Sequence, residues 1–159
     1  MPAQLIGKRL GNFEIEGLIG KGSMARVYAA RQVTLRRPVA LKLIEEGIFT
    51  PGELIKRFLR EAEAMAQLEH PHIVPVYAAG EETPYYYFAM RLMREGSLEN
   101  AMARGIRLNQ ALEWAFQICQ ALAFAHRSGV VHRDLKPSNV LIQDGAAFLA
   151  DFGLARLKD

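Results

Sequence analysis

The apolar residues of this chain change their period, and that change limits the fold more than any other feature. The first half reads as strands, with apolar residues recurring at every second position. The second half reads as mainly helix, with apolar residues three and four apart. Phe13, Ile15 and Gly17 alternate with Glu14 and Glu16, and Gly20 to Gly22 interrupts the run. Val27-Tyr-Ala-Ala resumes it, and after a charged turn at Arg36-Arg-Pro38 the stretch Val39 to Ile44 forms a third apolar run. Three such runs predict an antiparallel meander.

Pro51-Gly52 then punctuates the chain, and Glu53 to Leu68 has helical spacing, with Leu54, Phe58, Met65 and Leu68 on one stripe. His70-Pro71 ends it. Ile73 to Tyr77 and Tyr85 to Met93 read as two more strands, and Glu95-Gly96 as a hinge between halves. Asn109 is the expected N-cap of a helix running to about Ser128, with Leu112, Phe116, Cys119 and Leu122 on one face and Gly129 as its stop. Val140-Leu-Ile142 and Phe148-Leu-Ala150 flank Asp144-Gly145, a hairpin-turn signal.

At 159 residues the chain can bury one real core, and half of its residues are hydrophobic. A net charge of +3, spread without a basic tract, gives no footprint for nucleic acid. The single cysteine, Cys119, rules out an internal disulfide and a cysteine-based metal cluster, in keeping with a cytoplasmic setting. The sequence shows neither an 18-residue apolar run nor a signal-peptide apolar region, so no membrane contact is expected within it.

Five constellations carry chemistry. In Gly20-Lys21-Gly22-Ser23, continuing to Val27, two glycines between strands let the backbone bend over a ligand and offer N–H groups to phosphate oxygens. A tight hairpin that uses glycine would look the same. Lys42 sits in an apolar strand with Ala40 and Ile44 on its own face and Val39, Leu41 and Leu43 on the other, so its ammonium needs an anion nearby unless it snorkels from an edge. Glu61 falls in the stripe at 54, 58, 61, 65 and 68, where the other positions are Leu, Phe, Met and Leu. An inward carboxylate is unexpected unless paired, which makes Glu61 the candidate partner. His132-Arg-Asp-Leu-Lys-Pro-Ser-Asn139 crowds Asp134, Lys136 and Asn139 into one loop between apolar segments, and Asp151-Phe152-Gly153 ends the second hairpin strand. Each alone could be a turn, but a turn reading does not account for the ordered set.

In that order the motifs resemble the protein kinases, from about residue 11 to 159. Lys136, two residues after Asp134, is similar to the serine/threonine branch. The phrases Gly-Ser-Met-Ala-Arg-Val-Tyr and Arg57-Phe-Leu-Arg-Glu61-Ala resemble the bacterial, eukaryotic-like serine/threonine kinases. The resemblance implies an α+β, protein-kinase-like fold. It would have a five-stranded antiparallel N-lobe with one main helix (13–93) and the start of a mainly helical C-lobe (94–159). It also implies roles. Ile19, Gly20, Lys21, Gly22 and Ser23 would cover the phosphates of ATP. Val27, Ala40 and Leu141 would sandwich the adenine beside the gatekeeper Met90 and a hinge ending at Met93. Lys42, oriented by Glu61, would hold phosphates. Asp134 would take or orient the substrate hydroxyl proton and Lys136 would steady the γ-phosphate. Asn139 and Asp151 would bind Mg²⁺. Met65, Val76, His132 and Phe152 would stack as a spine.

Ala25 stands in place of the loop's third glycine, and Arg91 where the hinge is commonly acidic. Six residues follow Gly153, so the family's closing Ala-Pro-Glu, the peptide-docking surface and the phosphate partner of Arg133 are expected to be absent from this sequence. The helix from Asn109 would then expose apolar surface for a second copy or a partner chain. Two functions follow: part of an active serine/threonine kinase, or a nucleotide-binding or interaction module without catalysis.

Overall fold

The computed structural model describes residues 5–22, 25–45 and 52–152. These form two compact units. One comprises the described residues up to Leu59 together with Val76–Leu92, and the other comprises Arg60–Pro75 and the described residues from Met93 onward.

The first unit is built on one antiparallel sheet in the order β1-β2-β3-β4-β6-β5. Its strands are β1 (Arg9–Leu10), β2 (Phe13–Lys21), β3 (Arg26–Gln32), β4 (Arg37–Glu45), β5 (Val76–Glu82) and β6 (Tyr85–Arg91). Five strands were expected, and the sixth, β1, has only two residues, too few to carry a period. It pairs Leu10 with Phe13. The expected strand at 73–77 is also corrected, because β5 starts at Val76. Pro75 just before it has no N–H to donate.

β4 lies between β3 and β6, so both of its edges are paired, and Val39, Ala40, Leu41, Leu43 and Ile44 are buried on both of its faces. Phe13, Ile15, Tyr28, Leu41, Leu43, Tyr87 and Ala89 form the core on one side. A fully buried side chain of this size contributes about 1.5–3 kcal/mol. Tyr87 meets Phe13 edge-on at 5.9 Å, and its hydroxyl occupies the space a Cβ would need at Gly80, which explains the glycine there.

The helix α1 (Glu53–Ala66) joins the two units in sequence. Pro51, half of the expected punctuation before it, lies outside the described residues.

The second unit holds α2 (Leu98–Arg104), α3 (Leu108–Arg127), a 3-10 turn (Pro137–Asn139) and the hairpin β7 (Val140–Gln143) and β8 (Ala146–Leu149). The short α2 escaped the sequence reading, although its signal was there. The Ser97 hydroxyl accepts from the Asn100 N–H, and the Asn100 side chain accepts from the Ser97 N–H, which is a reciprocal cap. Asn109 is not a cap. The helix begins one residue earlier, with Arg107 as a cap that makes no side-chain bond. Gly129 does end α3: its φ is 79°, its N–H donates to the His126 carbonyl at 3.1 Å, and the Val130 N–H donates to the Ala125 carbonyl at 2.9 Å. Asp144 and Gly145 turn the hairpin with φ of 53° and 74°, the left-handed pair that a two-residue turn requires.

The face assigned to α3 needs correction. Its buried side chains are Trp114, Ile118, Ala121 and Ala125. Leu112 is 61% and Phe116 64% exposed, and Cys119 is exposed as well. The helix is apolar on two faces, and the unit covers only one. The expected exposed apolar surface is present on the other. Trp114 Nε1 donates to the Gly145 carbonyl at 2.9 Å, and the Gln117 side chain accepts from the Ala147 N–H at 2.8 Å, so the covered face grips the β7–β8 hairpin.

Candidate nucleotide and phosphoryl-transfer site

Register places several predicted residues on one face of the sheet. Gly20 pairs with Val27, Val27 with Lys42, and Lys42 with Phe88. Ala40 pairs with Met90. Directly paired residues share a face, and positions two apart on a strand do too. Gly20, Val27, Ala40, Lys42 and Met90 therefore line the face opposite Tyr28, Leu41 and Ala89. The Lys42 ammonium lies 5.5 Å from the centre of the Phe88 ring, a weak cation–π contact. Phe88 escaped the sequence reading. Its signal is only its register opposite Lys42, which no period reveals.

At the edge of that face the Gly22 N–H donates to the Ala25 carbonyl at 2.8 Å and closes the β2–β3 turn. A Cβ on Gly22 would stand 3.3 Å from that carbonyl, a tight contact that glycine avoids. Ile19 and Lys21 are exposed on β2. Ser23, also predicted in this loop, lies outside the described residues, as does Gly153. Met93 follows β6 and is half-buried.

In the second unit, Glu61 of α1 is 5% exposed, with Ala62, Ala64, Met65 and Leu68 buried around it. An ionised carboxylate so placed is costly without partners. Leu141 lies on β7 and bridges to Ser97.

The polar loop is compact. The Lys136 ammonium lies 2.8 Å from the Asp134 carboxylate. The Asn139 amide N–H donates to the Asp134 carbonyl at 2.8 Å and to its carboxylate at 3.0 Å. Asn139 is buried on the 3-10 turn, and its donors are committed to Asp134, which leaves its amide oxygen for another partner. The Ala150 N–H donates to the Asn139 carbonyl at 2.9 Å, so Asp151 follows immediately after a residue bonded to Asn139. Asp134, Lys136, Asn139 and Asp151 are thus brought into one neighbourhood by a turn and a strand end.

Lys136 chiefly, aided by Asn139 and partly opposed by desolvation, holds the Asp134 carboxyl below the usual carboxylate range, so it stays ionised through the neutral range. Burial pushes the His132 imidazole down. Its Nε2 donates to the Ala150 carbonyl at 2.8 Å, which fixes the tautomer and leaves Nδ1 bare. Nδ1 is buried and has no partner among the described residues. The ring packs on Phe152 with centroids 4.7 Å apart, and Met65 is buried in the same unit.

Arg133 and Asp151 have φ of 61° and 47°, left-handed for residues with a Cβ. Such conformations cost about 1–2 kcal/mol and persist where the surroundings impose them.

For a metal, the Asn139 amide oxygen and the Asp151 carboxylate are hard oxygen donors. Among the described residues no group of three or more His, Cys, Asp or Glu is placed to hold an ion alone. Mg²⁺ is commonly bound by one or two protein oxygens plus phosphates and water, so this donor set fits an ion that arrives with a nucleotide.

Residues 13–159 match the family model described as "Protein kinase domain". Among curated proteins the chain is similar to "Serine/threonine-protein kinase PrkC" of Bacillus subtilis, with 42% identity over 155 residues, covering 95% of this chain and 24% of that protein. It is 41% identical over 154 residues to "Putative CBL-interacting protein kinase 13" of Oryza sativa, covering 94% of this chain and 30% of that one. To "Serine/threonine-protein kinase PknJ" of Mycobacterium tuberculosis it is 35% identical over 156 residues, covering 94% of this chain and 26% of the relative. The chain therefore spans about a quarter to a third of the length of these relatives.

Proposed function

This chain belongs to the protein kinase domain family, and on that premise we propose that it binds ATP with Mg²⁺ and phosphorylates serine or threonine hydroxyls of proteins. ATP supplies the transferred phosphoryl group, and Mg²⁺ neutralises charge on the phosphates. The observation that carries the reading is the bonded cluster of Asp134, Lys136 and Asn139, with Asp151 beside it along the backbone. Asp134, held ionised, accepts a hydrogen bond from the substrate hydroxyl and aims its oxygen at the phosphorus. The hydroxyl proton passes to the Asp134 carboxylate as the new O–P bond forms and the bond to the ADP oxygen breaks. Lys136 steadies the γ-phosphoryl oxygens. Asn139 and Asp151 hold the metal. On the sheet, Gly20 and Gly22 admit backbone close to the phosphates, flanked by Ile19, Lys21 and Ser23. Lys42 binds phosphate oxygens, with Glu61 orienting it. Val27, Ala40, Leu141, Met90 and Met93 contact the base.

The catalytic domain comprises residues 13–159, divided near residue 93. An ATP-dependent reaction suits a cytoplasmic domain, either free or as the cytosolic part of a membrane-anchored kinase. Among the described residues no helix is long and apolar enough to cross a membrane. The outer face of α3, with Leu108, Leu112 and Phe116 exposed, favours a second reading in which the chain also works as an interaction module, covered by a second copy or another chain.

The test compares this chain, and the full reading frame containing it, with the Asp134→Asn variant for transfer of labelled phosphate from ATP. Activity in Asp134→Asn equal to the parent would remove Asp134 from the chemistry. Thermal stabilisation by nucleotide that requires Mg²⁺, without transfer in either form, would leave binding alone.

A further inference from the structure

The segment between α1 and β5 takes no part in the proposed chemistry, yet it is laid along β8. The Leu149 N–H donates to the His72 carbonyl at 2.8 Å, and the Val74 N–H donates to the Leu149 carbonyl at 2.9 Å. Ile73 and Leu149 pair in a parallel bridge, and Ile73, Val74 and Leu149 are fully buried. His72 Nδ1 lies 3.0 Å from the Ala147 carbonyl, which only accepts, so Nδ1 carries the proton. Residues 72–74 thus act as a third strand beside β8. Beyond Leu149, β8 leads directly into Ala150 and Asp151.

The strap is fastened at its near end by two bonds, one of them the Ile73 N–H donating to the His70 carbonyl at 3.2 Å. In the other, the His72 N–H points at His70 Nδ1, 3.1 Å away. A backbone N–H only donates, so His70 Nδ1 is bare and its proton sits on Nε2. Pro71 between them has no N–H to compete. The His70 ring packs on Phe124 of α3 at 5.2 Å and faces the His72 ring at 5.9 Å. The titratable and charged groups beside it are His72 on its own segment and Arg127 of α3. Together with burial, the larger cause, they hold the imidazole below its ordinary value. A proton added to His70 must go to Nδ1. It removes the acceptor of the His72 N–H and sets a cation beside Arg127.

We propose that His70 is a proton-sensitive positioning residue: neutral, it pins the near end of the 72–74 strap and steadies the strand that leads into Asp151; protonated, it loosens that end of the strap. It touches no substrate and acts through His72. The strap itself is independent of the ATP reading, whereas its effect on Asp151 rests on that reading.

The experiment is amide exchange of His72 and Leu149, corrected for intrinsic rates, between pH 7.5 and 5.5, with NMR titration of the histidine rings. Expected is a protection loss on the order of fivefold to tenfold at these two amides, the size of one lost backbone bond, with the midpoint of the His70 titration and without the same loss in β3 and β4. His70→Asn offers an oxygen near the place of Nδ1 and cannot titrate, so it should stay protected at both pH values. His70→Ala should be poorly protected at both; if it does not fold, the Asn comparison decides alone. His132 titrates in the parent and in the Asn variant alike and cancels. Loss of protection in His70→Asn with the parent's midpoint would overturn the proposal, and so would full protection of Leu149 after His70 has titrated. Mg²⁺-dependent nucleotide binding should fall at pH 5.5 in the parent and hold in His70→Asn. If nucleotide binds at neither pH, the ATP reading fails while the exchange result still decides the strap.

Discussion

Lys42 and Asp134 are held by opposite means. Lys42 lies on a nine-residue strand paired on both edges, and its position follows from backbone bonds and from the apolar residues before and after it. Asp134 lies in a loop where side chains do that work: Lys136 and Asn139 bond its carboxylate, and Arg133 and Asp151 adopt left-handed backbone. The sheet spends its residues on burial and carries one charged group along with it. The loop spends its residues on placing polar groups and contributes little burial, since 133–137 are exposed. Substitutions should therefore separate activity from stability between the two regions.

The largest separation is expected at Asp134→Asn. Phosphoryl transfer should fall by roughly 10²–10⁴-fold, the range for a positioned acid–base group, with little change in melting, because the side chain is half exposed. A large stability loss here would break the contrast. Leu41→Ala in the sheet should do the reverse, costing about 2–5 kcal/mol in a denaturant melt through the lost side chain and its cavity. A cost under 1 kcal/mol would mean the sheet relaxes in a way its burial does not suggest.

Next is pH. His70 and His132 are both pushed down in the folded chain, chiefly by burial. The unfolded chain then takes up protons that the folded one refuses. Stability is complete above the ordinary value of 6.5 and is lost as pH falls toward the folded values. Asp134 is depressed instead, so its contribution persists above its ordinary 3.8 and is lost only below that. Melts at pH 7.5 and 5.5 should show a loss, assigned to the second unit by its two histidines, with part of it surviving in His70→Asn. An unchanged melt would break the assignment. The smallest effect is Arg133→Gly, which relieves left-handed strain and should shift stability by about 1 kcal/mol or less in the stabilising direction, after glycine's own entropy cost. Destabilisation of 2 kcal/mol or more would show that Arg133 makes contacts that outweigh its backbone.

Much of the sheet was legible because period two reports burial directly. β4 is the clear case: apolar residues on both faces mean a strand covered on both sides, and Lys42 stands out against them. Glu61 was legible for the same reason, as a charge in an apolar stripe. β1 was not, since two residues carry no period. α2 was not, because a seven-residue helix shows little periodicity and its Asn100 cap partner replaces the usual Glu or Gln. Within the candidate site, the order of motifs was legible. So was the grouping of Asp134, Lys136 and Asn139 in one loop; the pairing of Ala150 with Asn139 and the strap at 72–74 were not, because each joins residues whose proximity no local pattern encodes.

α3 shows where that boundary runs. By itself the sequence determined that a helix runs from near Asn109 to about Ser128 and stops at Gly129, and that the acid, amide and lysine groups fall in a fixed order along the chain. Only the tertiary structure decided that Trp114, Ile118, Ala121 and Ala125 take the inner face while Leu112 and Phe116 face outward. A helical period marks which faces are apolar, but the hairpin that Trp114 and Gln117 grip decides which of them is buried.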